Sequence, residues 1–130
     1  MITIGVLADS KYPVDREGIR KHLTSVLEKH RLTERVAVDV LVVGKRKMSQ
    51  LHEQFMNIPG PTDVLSFPQN DASTPFAFVA SPDGILRLGD IVICYPVAME
   101  EALKKQVKVD TQVQFLAEHG IMHLMGFHHE

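Results

Sequence analysis

The stretch Glu118-His119-Gly120-Ile121-Met122-His123-Leu124-Met125-Gly126-Phe127-His128-His129-Glu130 decides how the rest of the chain is read. Four of the seven histidines fall in it. His119 and His123 are four apart in a run without proline, so on a helix they share one face about one turn apart, which is metal-ligand geometry. Gly126 supplies a left-handed position where a helix stops and the chain turns back, bringing His129 round as the third ligand. Three neutral nitrogen donors with a fourth position open suit a catalytic Zn2+ better than a closed structural site. His128 reads as a competing ligand, a proton shuttle or a surface group. With Glu130 directly after the third ligand, this end is expected to be mobile until the metal binds.

The helix carrying the pair reads back to an N-cap at Asp110 and runs from Thr111 to about Met125. Val113, Leu116, Ala117, Met122 and Leu124 make it apolar nearly all round towards its end, so it should be central. The spacing H-x3-H-x2-G-x2-H is also that of the metzincin zinc proteases, in which a general-base glutamate follows the first histidine. Here that position is Gly120, and Glu118 projects from a different part of the helix. The protease ligand set is present and its base is absent.

Tyr95-Pro96 opens a preceding helix of about ten residues through Lys105. Leu86 to Cys94 is an apolar strand. Gln69 to Gly84, with proline and small polar residues, reads as a long excursion around Phe76-Ala77-Phe78-Val79-Ala80, a hairpin arm. Thr62 to Phe67 is a strand closed by Pro68. Asn57-Ile58-Pro59-Gly60-Pro61 breaks a helix from Lys45 to about Met56, with Met48, Leu51, Phe55 and Met56 as its apolar face. Val36 to Val43 is a β-branched strand passing from half-covered to buried, ended by Gly44. Asp15 caps a helix running to about His30, with Ile19, Leu23, Val26 and Leu27 buried and His22 and His30 at the surface. Met1 to Leu7 is the first strand. This order predicts an α+β fold, a single domain over residues 1–130, with one mixed β-sheet and helices packed mainly on one face. The C-terminal histidine helix is central to it, the floor of a cleft lined by a sheet edge.

At 130 residues and 45% hydrophobic, the chain can build one core. A formal charge of -2 excludes a body that holds nucleic acid through its overall charge, so such binding must be local. Local basic groups are Lys45-Arg46-Lys47, Lys29 with Arg31 and Arg35, and Lys104 with Lys105 and Lys108. No apolar run approaches the roughly 20 residues that span a bilayer, and no basic leader precedes the first strand, so no membrane partner is expected. A single cysteine, Cys94, excludes an intrachain disulfide, agrees with a cytoplasmic setting and reads as a small core residue.

Residues 119 to 129 resemble the HGxLHLxGyDH signature of the YbeY family, bacterial rRNA maturation factors described as metal-dependent endoribonucleases. Pro61-Thr62-Asp63-Val64-Leu65-Ser66-Phe67-Pro68 resembles the family's PTDVLSFP strand, and Leu88-Gly89-Asp90-Ile91 its LGDI strand. All three occur in the family's order, from about Leu51 to the end. The resemblance implies a zincin-like fold and one zinc ion held by His119, His123 and His129, which act through the bound metal and water. It implies cleavage of single-stranded ribosomal RNA in rRNA processing, notably at the small-subunit 3′ end, and a part in ribosome quality control. Its partners would be ribosomal RNA and the small ribosomal subunit, with ribosomal proteins or an assembly GTPase as candidate protein partners. Asp63 and His128 are the candidate further catalytic groups. Asp63 and Ser66 point to opposite strand faces, so at most one looks into the cleft. His128 stands where the signature has aspartate, and Met56 where the family places an arginine on the phosphate. Competing assignments are a metallohydrolase of another substrate class, peptidase included, and a non-catalytic RNA- or ribosome-binding assembly factor whose zinc is structural.

Overall fold

The structure, a computed structural model, describes residues 1–31, 35–69 and 84–126. The expected hairpin arm around Phe76 to Ala80, and the histidines His128 and His129, lie outside the described residues. In chain order the elements are β1 (Ile2–Ala8), α1 (Arg16–Lys29), β2 (Val36–Val43), α2 (Lys45–Met56), β3 (Val64–Pro68), β4 (Leu86–Cys94), α3 (Tyr95–Lys105) and α4 (Val109–Leu124). They build an α+β unit on a mixed four-stranded sheet ordered β1-β2-β4-β3. β1, β2 and β4 are parallel, and β3 runs antiparallel on the edge beside β4.

Alternation along the strands divides the core between the two faces of the sheet. Val36, Val38, Val40 and Val42 of β2, with Ile91 and Ile93 of β4, point to one side. There they meet Ile19, Leu23, Val26 and Leu27 of α1 and Val113, Leu116, Ala117, Ile121 and Leu124 of α4. Full burial of each large aliphatic side chain contributes about 1.5–3 kcal/mol, so this face holds most of the stability. On the other side Met48 of α2 packs on Val92 and Cys94 in a smaller cluster. The helices therefore sit mainly on one face, as the pattern of the sequence predicts.

Several local expectations change in the folded chain. β2 alternates to its end, because α2 only half-covers Leu41 and Val43 on the second face. Met56 and Phe55 leave the apolar face of α2: both are exposed, and Phe55 meets Phe67 edge-on at 5.0 Å. β3 starts at Val64 and takes in Pro68, which suits an edge strand whose missing N–H deprives no partner. Asp15 caps α1 as expected, accepting from the Gly18 N–H at 2.9 Å. Asp110 is not the cap of α4. That helix starts at Val109 behind Lys108, and Asp110 in its first turn accepts from the Asp15 N–H at 3.3 Å, tying the starts of α1 and α4 together.

β4 carries a bulge: Ala37 pairs with Arg87 and Val38 with Gly89, leaving Leu88 as the extra residue. Gly89 has φ 139°, and a Cβ there would collide with the carbonyl oxygen of Phe67 on β3. Only glycine allows this combination of twist and close approach. Gly89→Ala is expected to destabilise the fold by at least about 2 kcal/mol through strain and overpacking, read as a lower urea midpoint at unchanged slope.

Candidate metal centre

At 100° per residue, α4 presents two flanks either side of the face it lays on the sheet. Gly120 marks that face: a Cβ built on it would lie 2.7 Å from Cγ2 and 3.1 Å from Cγ1 of Ile91. One flank meets α1. There the His22 imidazole bonds Oε1 of Glu118 at 2.7 Å, both side chains half-buried, so His22 is an interhelical partner and not the free surface group its place off the apolar stripe implies. The opposite flank carries Gln112, His119 and His123. The two imidazoles are half-buried, with ring centroids 4.6 Å apart and planes tilted by 44°.

This pair fits a zinc ion in donor chemistry and placement, one helical turn apart on one flank. Among the described residues no group of three His, Cys, Asp or Glu is disposed to hold a metal. The pair therefore needs a further donor, and the expected one, His129, lies outside the described residues, as does His128.

Gly120 has a physical reason beyond the motif. Where a metzincin has its base, a side chain here would press on Ile91, which is fully buried and β-branched, so it could fit only by shifting the helix or Ile91. The carboxylate is missing because its space is taken.

The strand residues of the two matching stretches sort by register. Ser66 pairs with Ile91, and so lies on the sheet face under α4, beside the segment on which Gly120 rests. Asp90 pairs with Phe67 and Asp39 on the opposite face, turned away from the histidines. Burial, with the neighbouring Asp39 carboxylate, holds Asp90 above the usual carboxylate range. Asp63 stands just before β3, with its Oδ1 accepting from the Val64 N–H at 2.7 Å.

Asp63 belongs to a polar knot on the histidine flank that sequence reasoning missed. The Glu101 carboxyl of α3 hydrogen-bonds Asp63, and its Oε1 accepts from Nε2 of Gln112 at 2.9 Å. Gln112 is 2% exposed, and its Oε1 accepts from Nζ of Lys105 at 3.1 Å. Burial first, then the bond to Asp63, raises the Glu101 pKa above its ordinary value. The knot joins β3, α3 and α4, and its Gln112 lies roughly 10 Å along the helix from His119 at about 1.5 Å per residue. One signal was available: Gln112 is a polar residue in an apolar helix, on the same flank as His119 and His123.

Comparison with known proteins identifies relatives of the chain. A family model described as Endoribonuclease YbeY matches residues 8–130. Endoribonuclease YbeY of Thermobifida fusca is 36% identical over 128 residues, covering 98% of this chain and 81% of the relative. That of Streptomyces griseus is 37% identical over 131 residues, covering 99% of this chain and 79% of the relative. A Thermotoga maritima protein of known solution structure superposes with TM-score 0.60 at 25% identity, covering 98% of this chain and 75% of that one.

Two outcomes test this geometry. Gly120→Ala would gain about 1 kcal/mol in an ordinary helix interior. Against Ile91 it is expected to lose about 1–2 kcal/mol in chemical denaturation, part of it recovered in the double variant with Ile91→Ala. For Glu101, a folded pKa raised above 4.5 makes the native state hold the extra proton, so stability falls as pH rises from that value through the folded pKa. Glu101→Gln keeps both hydrogen bonds without the charge. It is expected to match the wild type below pH 4.5 and to equal or exceed it near neutrality, by up to about 1 kcal/mol, in urea titrations across pH.

Proposed function

The chain belongs to the YbeY endoribonuclease family, and from that premise we propose that it cleaves single-stranded ribosomal RNA in rRNA processing, using a zinc ion held by His119, His123 and His129. The observation that carries the metal reading is the pairing of the His119 and His123 rings at 4.6 Å on the flank of α4 away from α1. A zinc ion there would supply Lewis acidity to a phosphoryl oxygen. The histidine helix beneath a mixed sheet with an antiparallel edge strand supports a zincin-like reading of the fold.

The chain's own residues bound the mechanism. Both imidazoles ligate only when neutral. Gly120 leaves no room beside them for a carboxylate base, which weighs against a peptidase of the metzincin kind. Met56, where the family has arginine, ends α2 exposed and offers a phosphate no donor. Lys45, at the other end of that helix, is engaged by Glu100 at 2.8 Å. Asp63 acts as a positioning residue, because its carboxylate holds the start of β3 against Glu101 of α3. Ribosomal RNA and the small subunit are the partners this activity requires, and they place the protein in the cytoplasm with a part in ribosome quality control. Among the described residues no helix is long and apolar enough to cross a membrane.

The test is cleavage of single-stranded and ribosomal RNA, with metal analysis of protein purified without a histidine tag. Wild type is expected to carry about one zinc per chain. Loss of a partner that merely orients a ligand costs 10–100-fold, so His123→Ala, which removes a ligand, is expected to lower cleavage by at least about a hundredfold. Equal cleavage by the two proteins would sink the assignment.

A further inference from the structure

On the histidine flank of α4, one turn before His119, Phe115 is an aromatic side chain left 53% exposed. Lys105 reaches across from α3 and places Nζ 4.0 Å from the ring centroid while bonding Gln112, so the cation is anchored over one face of the ring. Lys108, exposed at the N-cap of α4, lies two turns earlier on the same flank. Lys108, Phe115, His119 and His123 thus fall in one line, with steps of roughly 10, 6 and 6 Å at about 1.5 Å per residue.

We propose that this line is a track for single-stranded RNA: Phe115 stacks one unpaired base, Lys105 and Lys108 attract the flanking phosphates, and the strand continues to the His119 and His123 pair. The proposal rests on the endoribonuclease reading and names how that site holds its substrate. Aromatic stacking suits a single strand, because each unpaired base has a π face to offer and duplex bases do not. Charge agrees locally on a chain that is acidic overall. Four other exposed apolar side chains are placed differently. Phe55 and Met56 end the helix on the opposite sheet face, while Met99 and Leu103 lie on the side of α3 away from Ala98, Glu101, Ala102 and Lys105.

The experiment measures binding of an unstructured RNA of about ten nucleotides by fluorescence anisotropy in EDTA, and its cleavage by metal-loaded protein. Phe115→Ala is expected to weaken binding roughly tenfold or more and to raise KM with little change in kcat, whereas Phe115→Trp retains both. RNA with an abasic nucleotide at the stacked position should bind wild type as weakly as intact RNA binds Phe115→Ala, with no further loss when both changes combine. Lys108→Ala should reduce the slope of log affinity against log salt by about 0.7. Wild type that binds and cleaves RNA while Phe115→Ala binds within about twofold of it would overturn the track and leave the nuclease reading standing. Wild type that neither binds nor cleaves RNA would overturn both.

Discussion

What the histidine helix can do depends on how closely it lies on the sheet. Gly120 presents bare backbone to Ile91, so α4 approaches β4 without an intervening side chain. The contact fixes the rotation of the helix about its axis, and rotation decides which residues are flanks. With Gly120 against the sheet, Glu118 turns to α1, and His119 and His123 turn the other way. A side chain at that position would both lift the helix and make room for a different chemistry. The same glycine therefore sets the geometry of the site and removes the carboxylate that a peptidase would use.

The two flanks of α4 have different tasks. On the α1 side Asp110 meets the backbone of Asp15, and Glu118 meets His22. Bonds this exposed contribute little net energy, about 1 kcal/mol or less each, but they hold two long elements in one orientation. On the other side the contacts are polar and partly buried. Gln112 is fully satisfied there by Glu101 and Lys105, and a buried amide left unpaired would cost about 1–3 kcal/mol, so the knot admits one arrangement of α3 and α4. β3 enters this arrangement through Asp63, which makes the position of the edge strand beside the histidines a property of three elements together.

Much of the fold was legible because local rules and tertiary outcome agree. The stripe Ile19, Leu23, Val26 and Leu27, the Asp15 cap, and the bounds of α2, β2 and β4 follow from periodicity and punctuation alone. The misses are tertiary. Asp110 looks like a cap because aspartate favours that position, yet it is drawn into a bond with a residue 95 positions away. Met56 looks like core because it is apolar, but at the last turn of α2 it stays exposed. The pairing of His119 with His123 was readable from spacing, since a helix brings such neighbours together. The polar knot was not, because Asp63, Glu101 and Gln112 come from three elements whose meeting is decided by packing. The roles of Ser66 and Asp90 were equally hidden, since their faces depend on register.

The bulge at Leu88 bears on that register. A strand normally keeps one phase along its length, with every second side chain on the same side. β4 does not: Leu86 and Leu88 point inward before the bulge, and Ile91 and Ile93 after it, so the inward set passes from even to odd numbering. The strand thus holds a half-period dislocation frozen at Gly89. Removing Leu88 would restore a uniform phase and leave Ile91 opposite Val40 beneath α4 and Asp90 opposite Asp39 on the far face. The extra residue lets one strand turn Leu86 and Leu88, and then Ile91 and Ile93, into the same core.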